Sequence, residues 1–213
     1  MRSDAPQVRR LYDFLDSGNG YKVRLALTQL GIPFDWVAVD ILAGETRREP
    51  FLDKNPNGRI PLLELADGST LAESNAILFF LADGTRLLSD DTYERAQTLQ
   101  WMFFEQYSHE PYIAVARFWC RHPASSSHTP QELAHKREGG RAALAVMERH
   151  LAERSFFVGE RYSIADIALY AYTHVADQAG IDASEFGAVR DWLDRVRAQP
   201  DHIPIDLAAG LGG

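Results

Sequence analysis

Cysteine is almost missing from this sequence: there is one, Cys120, in 213 residues. A single thiol excludes an internal disulfide and any multi-cysteine zinc site, which fits a reducing compartment. Cations are also in the minority, with 22 lysines and arginines against 30 acids and a net charge of −8. Binding to a phosphate backbone needs clustered cations, so no nucleic-acid partner is expected. No window approaches the ~18 apolar residues of a membrane span, so no membrane partner is expected either. Residues 1–8 lack the apolar stretch of a secretory signal and read as a loose arm. Acids at Asp13 and Asp16 speak against a transit peptide, which leaves the cytoplasm as the default expectation. The chain has no Gly-x-x-x-x-Gly-Lys-Ser, no His-Glu-x-x-His, no Gly-x-Ser-x-Gly and no Gly-x-Gly-x-x-Gly. Its histidines (109, 122, 128, 135, 150, 174, 202) show no metal-like pairing with acids, so they read as surface residues and no metal is expected.

What is present is an ordinary globular composition, 46% hydrophobic and 24% charged. The pattern changes character once. Residues 11–14 read as a strand, followed by a Gly-rich turn and an amphipathic helix that Gly31 ends. Residues 34–39 alternate and form a second strand, and 45–54 read as a short polar helix. Residues 60–65 and 69–71 flank Asp67-Gly68, the signature of a hairpin. Residues 74–82 are apolar on nearly every side, hence a buried helix. The order β-α-β-α-β-β-α implies a small mixed sheet with two parallel and two antiparallel pairings, a thioredoxin-like domain over residues 9–83. After a polar linker at 84–90, the segments 93–120, 130–153, 164–179 and 184–198 carry helical periodicity, separated by loops such as 122–129. An all-helical domain over 90–213 is therefore expected. Within it Ser163 precedes Asp166 by three residues, a capping box flanked by Tyr162 and Ile167 as a hydrophobic staple. Cys120 reads as a packed small residue.

Three segments of the first domain could carry chemistry. Ser17-Gly18-Asn19-Gly20-Tyr21-Lys22 leads into a helix N-terminus, where unpaired N–H groups favour an anion such as a thiolate. Ser17 or Asn19 serves there either as a helix cap or as an anion ligand. In Asn55-Pro56-Asn57-Gly58-Arg59-Ile60-Pro61, Pro61 cannot donate to a sheet ladder. A cis Ile60–Pro61 bond would turn the Ile60 backbone toward a peptide ligand. Arg59 either holds a carboxylate or is a solvated cation. In Leu71-Ala72-Glu73-Ser74-Asn75-Ala76, Glu73 and Ser74 open the buried helix, as caps or as ligands for a carboxylate and an ammonium group.

Together these stretches resemble bacterial glutathione transferases of the serine type, from Leu11 to about Ala198. The resemblance rests on Ser17-Gly-Asn-x-Tyr-Lys-Val-Arg, Gly31-Ile-Pro, Phe51-Leu-x-x-Asn-Pro-Asn-Gly-Arg-Ile-Pro61, Leu71-Ala-Glu-Ser-Asn-Ala-Ile77 and Tyr162-Ser-Ile-Ala-Asp166. It implies a cytoplasmic homodimer that activates glutathione as a thiolate and conjugates it to a hydrophobic electrophile, a detoxifying reaction. In that family's terms Ser17, with Asn19 as the second choice, would stabilise the thiolate; tyrosine-type members use a tyrosine near strand one, for which Tyr12 is the candidate here, although it reads rather as core. Ile60 and the cis Pro61 would meet the cysteinyl part, Glu73 and Ser74 the γ-glutamyl end, and Arg59 and Arg47 a carboxylate. Some bacterial relatives carry cysteine at the place of Gly20; without it, a protein–glutathione mixed disulfide is not expected. The electrophile would lie between the domains, against the aromatic-rich helix containing Trp101, Glu105, Ser108 and Tyr112 on one face. Phe104, Ser108, Tyr112 and Arg117 are its candidate contacts, with Pro111 bending the helix to open the pocket. Glutathione-dependent isomerisation, dehalogenation or peroxide reduction, and a non-catalytic glutathione-binding role, are the alternatives.

Overall fold

The structure, a computed structural model, describes residues 7–207. Most of the expected N-terminal arm lies outside the described residues, and Val8 already belongs to the first strand. The described chain divides into two compact units, residues 7–88 together with 200–207, and 89–199. The expected domain boundary of 90–213 is corrected at its C-terminal end. Residues 200–207 pack on the first unit because its first helix anchors their carbonyl groups: Tyr21 Oη donates to Ile203 O at 2.7 Å and Gln29 Nε2 to Pro200 O at 3.2 Å.

The first unit is thioredoxin-like. Strands β1 (Val8–Asp13), β2 (Asp35–Ala38), β3 (Leu62–Leu65) and β4 (Thr70–Ala72) lie in the order β2-β1-β3-β4. The β1–β2 pair is parallel, while β1–β3 and β3–β4 are antiparallel. One parallel pairing is therefore found where two were expected: four strands in an open sheet have three junctions, and the hairpin takes one of them. Strand alternation sends Leu11 and Leu63 to one face and Tyr12 and Leu62 to the other. The first face packs on α1 (Gly18–Gln29) and α3 (Ser74–Ala82) through Val23, Leu27, Ile77 and Leu81, all fully buried. Burying each such side chain contributes about 1.5–3 kcal/mol. Gly31, at φ 65°, ends α1 in a Schellman motif, with Ile32 N donating to Leu27 O and Gly31 N to Thr28 O.

The expected polar helix at 45–54 is two short pieces, a 3-10 turn at Glu45–Arg47 and α2 at Phe51–Lys54. Pro50 follows Glu49 between them and disfavours helical geometry in its predecessor. The segment at 84–90 is less open than its polarity suggests, since Leu87 and Leu88 are buried.

The second unit is helical: α4 (Thr92–Phe104), α5 (Glu110–Arg121), α6 (Pro130–Leu151), α7 (Ile164–Thr173) and α8 (Gly187–Arg197). The capping box of α7 is present, with Ser163 N donating to Asp166 Oδ2 at 2.9 Å. Asp166 does more than cap. Its Oδ1 also accepts from Phe157 N at 3.2 Å and from Trp192 Nε1 at 2.9 Å, so one buried carboxylate ties α7 to α8 and to the preceding loop. Tyr162 and Ile167, the expected staple pair, are both buried. Most histidines are partly exposed at the surface, but several are held by ring contacts. The rings of His128, His150 and His174 stack on Trp119, Phe157 and Tyr170, and His109 is fully buried with its Nε2 on Thr173 Oγ1. Cys120 is exposed rather than packed.

Candidate active site

The site is built on two helix N-termini of the first unit. β1 ends at Asp13, and the chain turns through residues 14–17 into α1, with Ser17 N donating to Phe14 O at 2.8 Å. Ser17 is the N-cap: its backbone is extended and its Oγ accepts from Gly20 N at 3.3 Å. Capping uses only the acceptor side of the hydroxyl, so its O–H proton remains available to a negatively charged sulfur. One turn on, Asn19 Oδ1 lies 2.8 Å from Lys22 Nζ and 3.4 Å from Ser74 Oγ, the first residue of α3. Lys22 Nζ also reaches Ser74 Oγ at 3.3 Å. Asn19, Lys22 and Ser74 thus lock the first turn of α1 to that of α3.

α3 has no side-chain cap. Its N-cap, Glu73, adopts φ 67° and ψ 112°, a conformation that L-residues avoid. Such a residue persists only where its surroundings over-determine it, commonly at ligand sites. The exposed Glu73 carboxylate accepts from Asn57 Nδ2 at 3.5 Å. The loop that carries Asn57 is held by Asn55, whose Nδ2 donates to Arg59 O at 2.7 Å and whose Oδ1 accepts from Asn57 N at 3.1 Å. Arg47 joins this loop by donating from Nη1 to Asn57 O at 3.0 Å. Gly58, at φ 60°, admits no side chain: a Cβ there would sit 2.8 Å from Thr46 O. Arg59 is exposed, and the Ile60–Pro61 bond is cis. Leu62–Ala72 is the first rung between β3 and β4, so the Ile60 N–H and C=O lie beyond the ladder.

Beneath α1 lies a buried ion pair. Asp13 Oδ2 and Arg24 Nε are 2.9 Å apart and both side chains are fully buried, with the Nε–H turned off the line of a hydrogen bond. Burial dominates both groups. It raises the Asp13 carboxyl to about 6, against the pull of Arg24 and the bonds from Trp36 and Phe14 N, and it lowers Arg24. Gly20 packs against this carboxylate so closely that a Cβ would fall 1.5 Å from Asp13 Oδ1. A cysteine at position 20 therefore has no room.

The structure brings Ser17, Asn19 and Ser74 to adjoining helix ends and gathers Arg47, Arg59 and Glu73 around the Asn55–Arg59 loop. Tyr12 is apart from them, its Oη donating to Glu64 Oε2 at 2.8 Å and its ring meeting Phe51 edge-on. Phe104 packs edge-on against Trp101, with ring centroids 5.3 Å apart. Glu105–His109 is a π turn, in which Glu110 N bonds to Glu105 O, five residues back. The extra residue accommodates Pro111, which has no N–H to offer an ordinary helical turn. It also moves the helix phase by ~100°, so Tyr112 leaves the face shared by Trp101 and Glu105. Tyr112 instead lies on α6, with Lys136 Nζ 5.3 Å from its ring centre. Arg117 is 4% exposed and donates from Nε to Gln178 Oε1 at 2.8 Å. Sequence reasoning gave no role to Lys22, Asn55 or Asn57. A cation one turn into a Gly-rich helix start was the available signal for the first, and the Asn-Pro-Asn-Gly turn for the other two.

Models of the Glutathione S-transferase, N-terminal domain, and the Glutathione S-transferase, C-terminal domain, match residues 7–83 and 101–200. The "Disulfide-bond oxidoreductase YfcG" of Escherichia coli strain K12 is 32% identical over 206 residues, which covers 93% of this chain and 95% of that protein. The chain belongs to the glutathione S-transferase family. Among solved structures, a glutathione S-transferase from Pseudomonas fluorescens superposes with a TM-score of 0.89 at 53% identity, covering 92% of this chain and 98% of that one. The glutathione transferase URE2P6 of Phanerochaete chrysosporium, solved in complex with oxidized glutathione, superposes with a TM-score of 0.83 at 28% identity over 92% of this chain and 93% of its own.

Proposed function

We propose that the first unit binds glutathione and holds its sulfur as a thiolate for transfer to a hydrophobic electrophile. The observation that carries this reading is the meeting of two helix N-termini through Asn19, Lys22 and Ser74, with the strained Glu73 beside them. In this reading the uncapped N–H groups at the start of α3, that of Ser74 among them, receive the γ-glutamyl carboxylate, and Glu73 receives its ammonium group. The Ile60 backbone beside Pro61 pairs with the cysteinyl part, and Arg59 and Arg47 face carboxylates. Ser17 and Asn19 donate to sulfur, which lowers the thiol pKa because bonds to the charged form favour it. A homodimer belongs to the same reading: Phe103 and Tyr107 are 67% and 84% exposed, more than apolar rings of a monomer need to be.

The test compares Ser17→Ala and Asn19→Ala with the parent protein for glutathione affinity and for conjugation of a chromogenic aryl halide. Ser17→Ala is expected to bind glutathione almost unchanged and to lose about tenfold or more in rate. Unchanged turnover transfers the role to Asn19. A second reading is favoured by the name of the Escherichia coli relative and by the oxidized glutathione in the Phanerochaete structure. It is thiol–disulfide exchange carried by glutathione itself, since position 20 has no room for a protein thiol. Assays with disulfides, peroxides, halides and isomerisable substrates, run beside the aryl halide, separate these reactions. Binding without turnover in any of them assigns a regulatory role.

A further inference from the structure

Lys22 is among the largest fully buried side chains of the protein, yet neither helix capping nor glutathione chemistry as set out above requires it. An ammonium group has three donors and no acceptor. The Asn19 atom 2.8 Å from Lys22 Nζ must therefore be the amide oxygen. The Ser74 hydroxyl accepts from the same ammonium at 3.3 Å, which directs its own proton to Asn19 Oδ1 at 3.4 Å. Both bonds converge on one end of the amide, so its Nδ2 end faces the other way. The polarity of the whole cluster is dictated by its one member that cannot accept.

The two ends of an asparagine amide are nearly the same size, so shape alone does not choose between them. Their chemistry is opposite: a thiolate is stabilised by N–H and repelled by C=O. Resting on the proposed function above, we infer that Lys22 is a positioning residue that holds Asn19 with its N–H donors toward the glutathione sulfur. The burial of a charge in place of an apolar side chain of similar length fits this role, since a satisfied buried polar cluster fixes one orientation at the cost of desolvation.

The test uses the full chain with reduced glutathione, reading the ultraviolet absorbance of the bound thiolate at neutral pH beside calorimetric affinity and kcat and KM. Lys22→Met is expected to keep glutathione affinity within about threefold while thiolate fraction and kcat fall about tenfold. Lys22→Gln, which keeps a donor without the charge, is expected to regain most of the signal. Combined with Asn19→Ala, Lys22→Met should add nothing further, because the two act as one unit. Full thiolate in Lys22→Met, a Gln variant as impaired as Met, or additive effects would each overturn the role. Asn19→Asp extends the test where Lys22→Met does not fold: its carboxylate pairs with Lys22 and offers sulfur no donor. Thiolate retained in Asn19→Asp would also overturn it. Absence of glutathione binding by the parent protein is a different result, which defeats the proposed function and this role together.

Discussion

Asp13 and Gly20 set the position of the candidate site from below. The carboxylate is held by Arg24, by Phe14 N at 2.7 Å and by Trp36 Nε1 at 3.4 Å, so it cannot yield to a new methyl group. Gly20→Ala would ordinarily stabilise a helix by about 1 kcal/mol. Here it is expected to destabilise by about 3 kcal/mol, read as a lower urea midpoint, because the overlap with Asp13 outweighs propensity. The acid has a pH signature as well. Asp13 and Asp166 are both raised from 3.8 to about 6, in each case chiefly by burial. The native state therefore takes up these two protons at higher pH than the unfolded chain does. Their contribution to stability grows as pH falls from about 7 to about 4, opposite to that of a salt-bridged surface carboxylate. His150, lowered by burial, works against them over part of that range. The shares are thus read group by group, and carboxyl NMR titration should place both acids near pH 6 instead of near 4.

At the scale of elements, α7 depends on Asp166 and the α4–α5 junction on Pro111. Asp166→Ala strands three buried donors, Ser163 N, Phe157 N and Trp192 Nε1. Unsatisfied donors cost ~1–3 kcal/mol each, so a loss of roughly 3 kcal/mol or more is expected by chemical denaturation. The capping box itself was legible because its residues are local and their spacing is fixed by the helix. The bonds from Phe157 and Trp192 join residues 9 and 26 positions away and leave no local trace. The strands, the hairpin and α3 were likewise readable from period and turn residues. The break at Pro50 and the π turn were not, since each depends on how the chain absorbs a proline, which periodicity does not report. The same limit applies to the site. Ser17, Asn19, Glu73 and Ser74 mark helix starts and could be read in sequence. The face expected to hold Trp101, Glu105 and Tyr112 together is broken because one inserted residue rotates the helix beyond it.

At the scale of the molecule, residues 200–207 return to the first unit. Arg24, the partner of Asp13, also donates from Nη1 to Ile205 O at 2.9 Å and to Leu207 O at 2.6 Å, and from Nη2 to Leu15 O at 2.8 Å. The buried guanidinium thus joins the strand end, the loop before Ser17 and residues 205–207. Tyr21→Phe, which removes the bond to Ile203 O, is expected to cost about 1 kcal/mol and lower the melting temperature by ~2–4 °C. Deleting residues 200–213 strands Arg24 and Tyr21 together and should cost more, with the largest loss of amide protection in α1. Among the described residues no helix is long and apolar enough to cross a membrane.

The decisive measurement is calorimetric titration of the full chain with reduced glutathione and with S-methylglutathione, each in two buffers of different ionisation enthalpy. Saturable one-site binding of both ligands is expected, with proton release for glutathione only, because only its thiol ionises in the site. The heat at neutral pH should then depend on buffer for the thiol and not for the thioether. Heats that never saturate at millimolar glutathione, or that are independent of buffer for both ligands, contradict a site built to keep that sulfur negative.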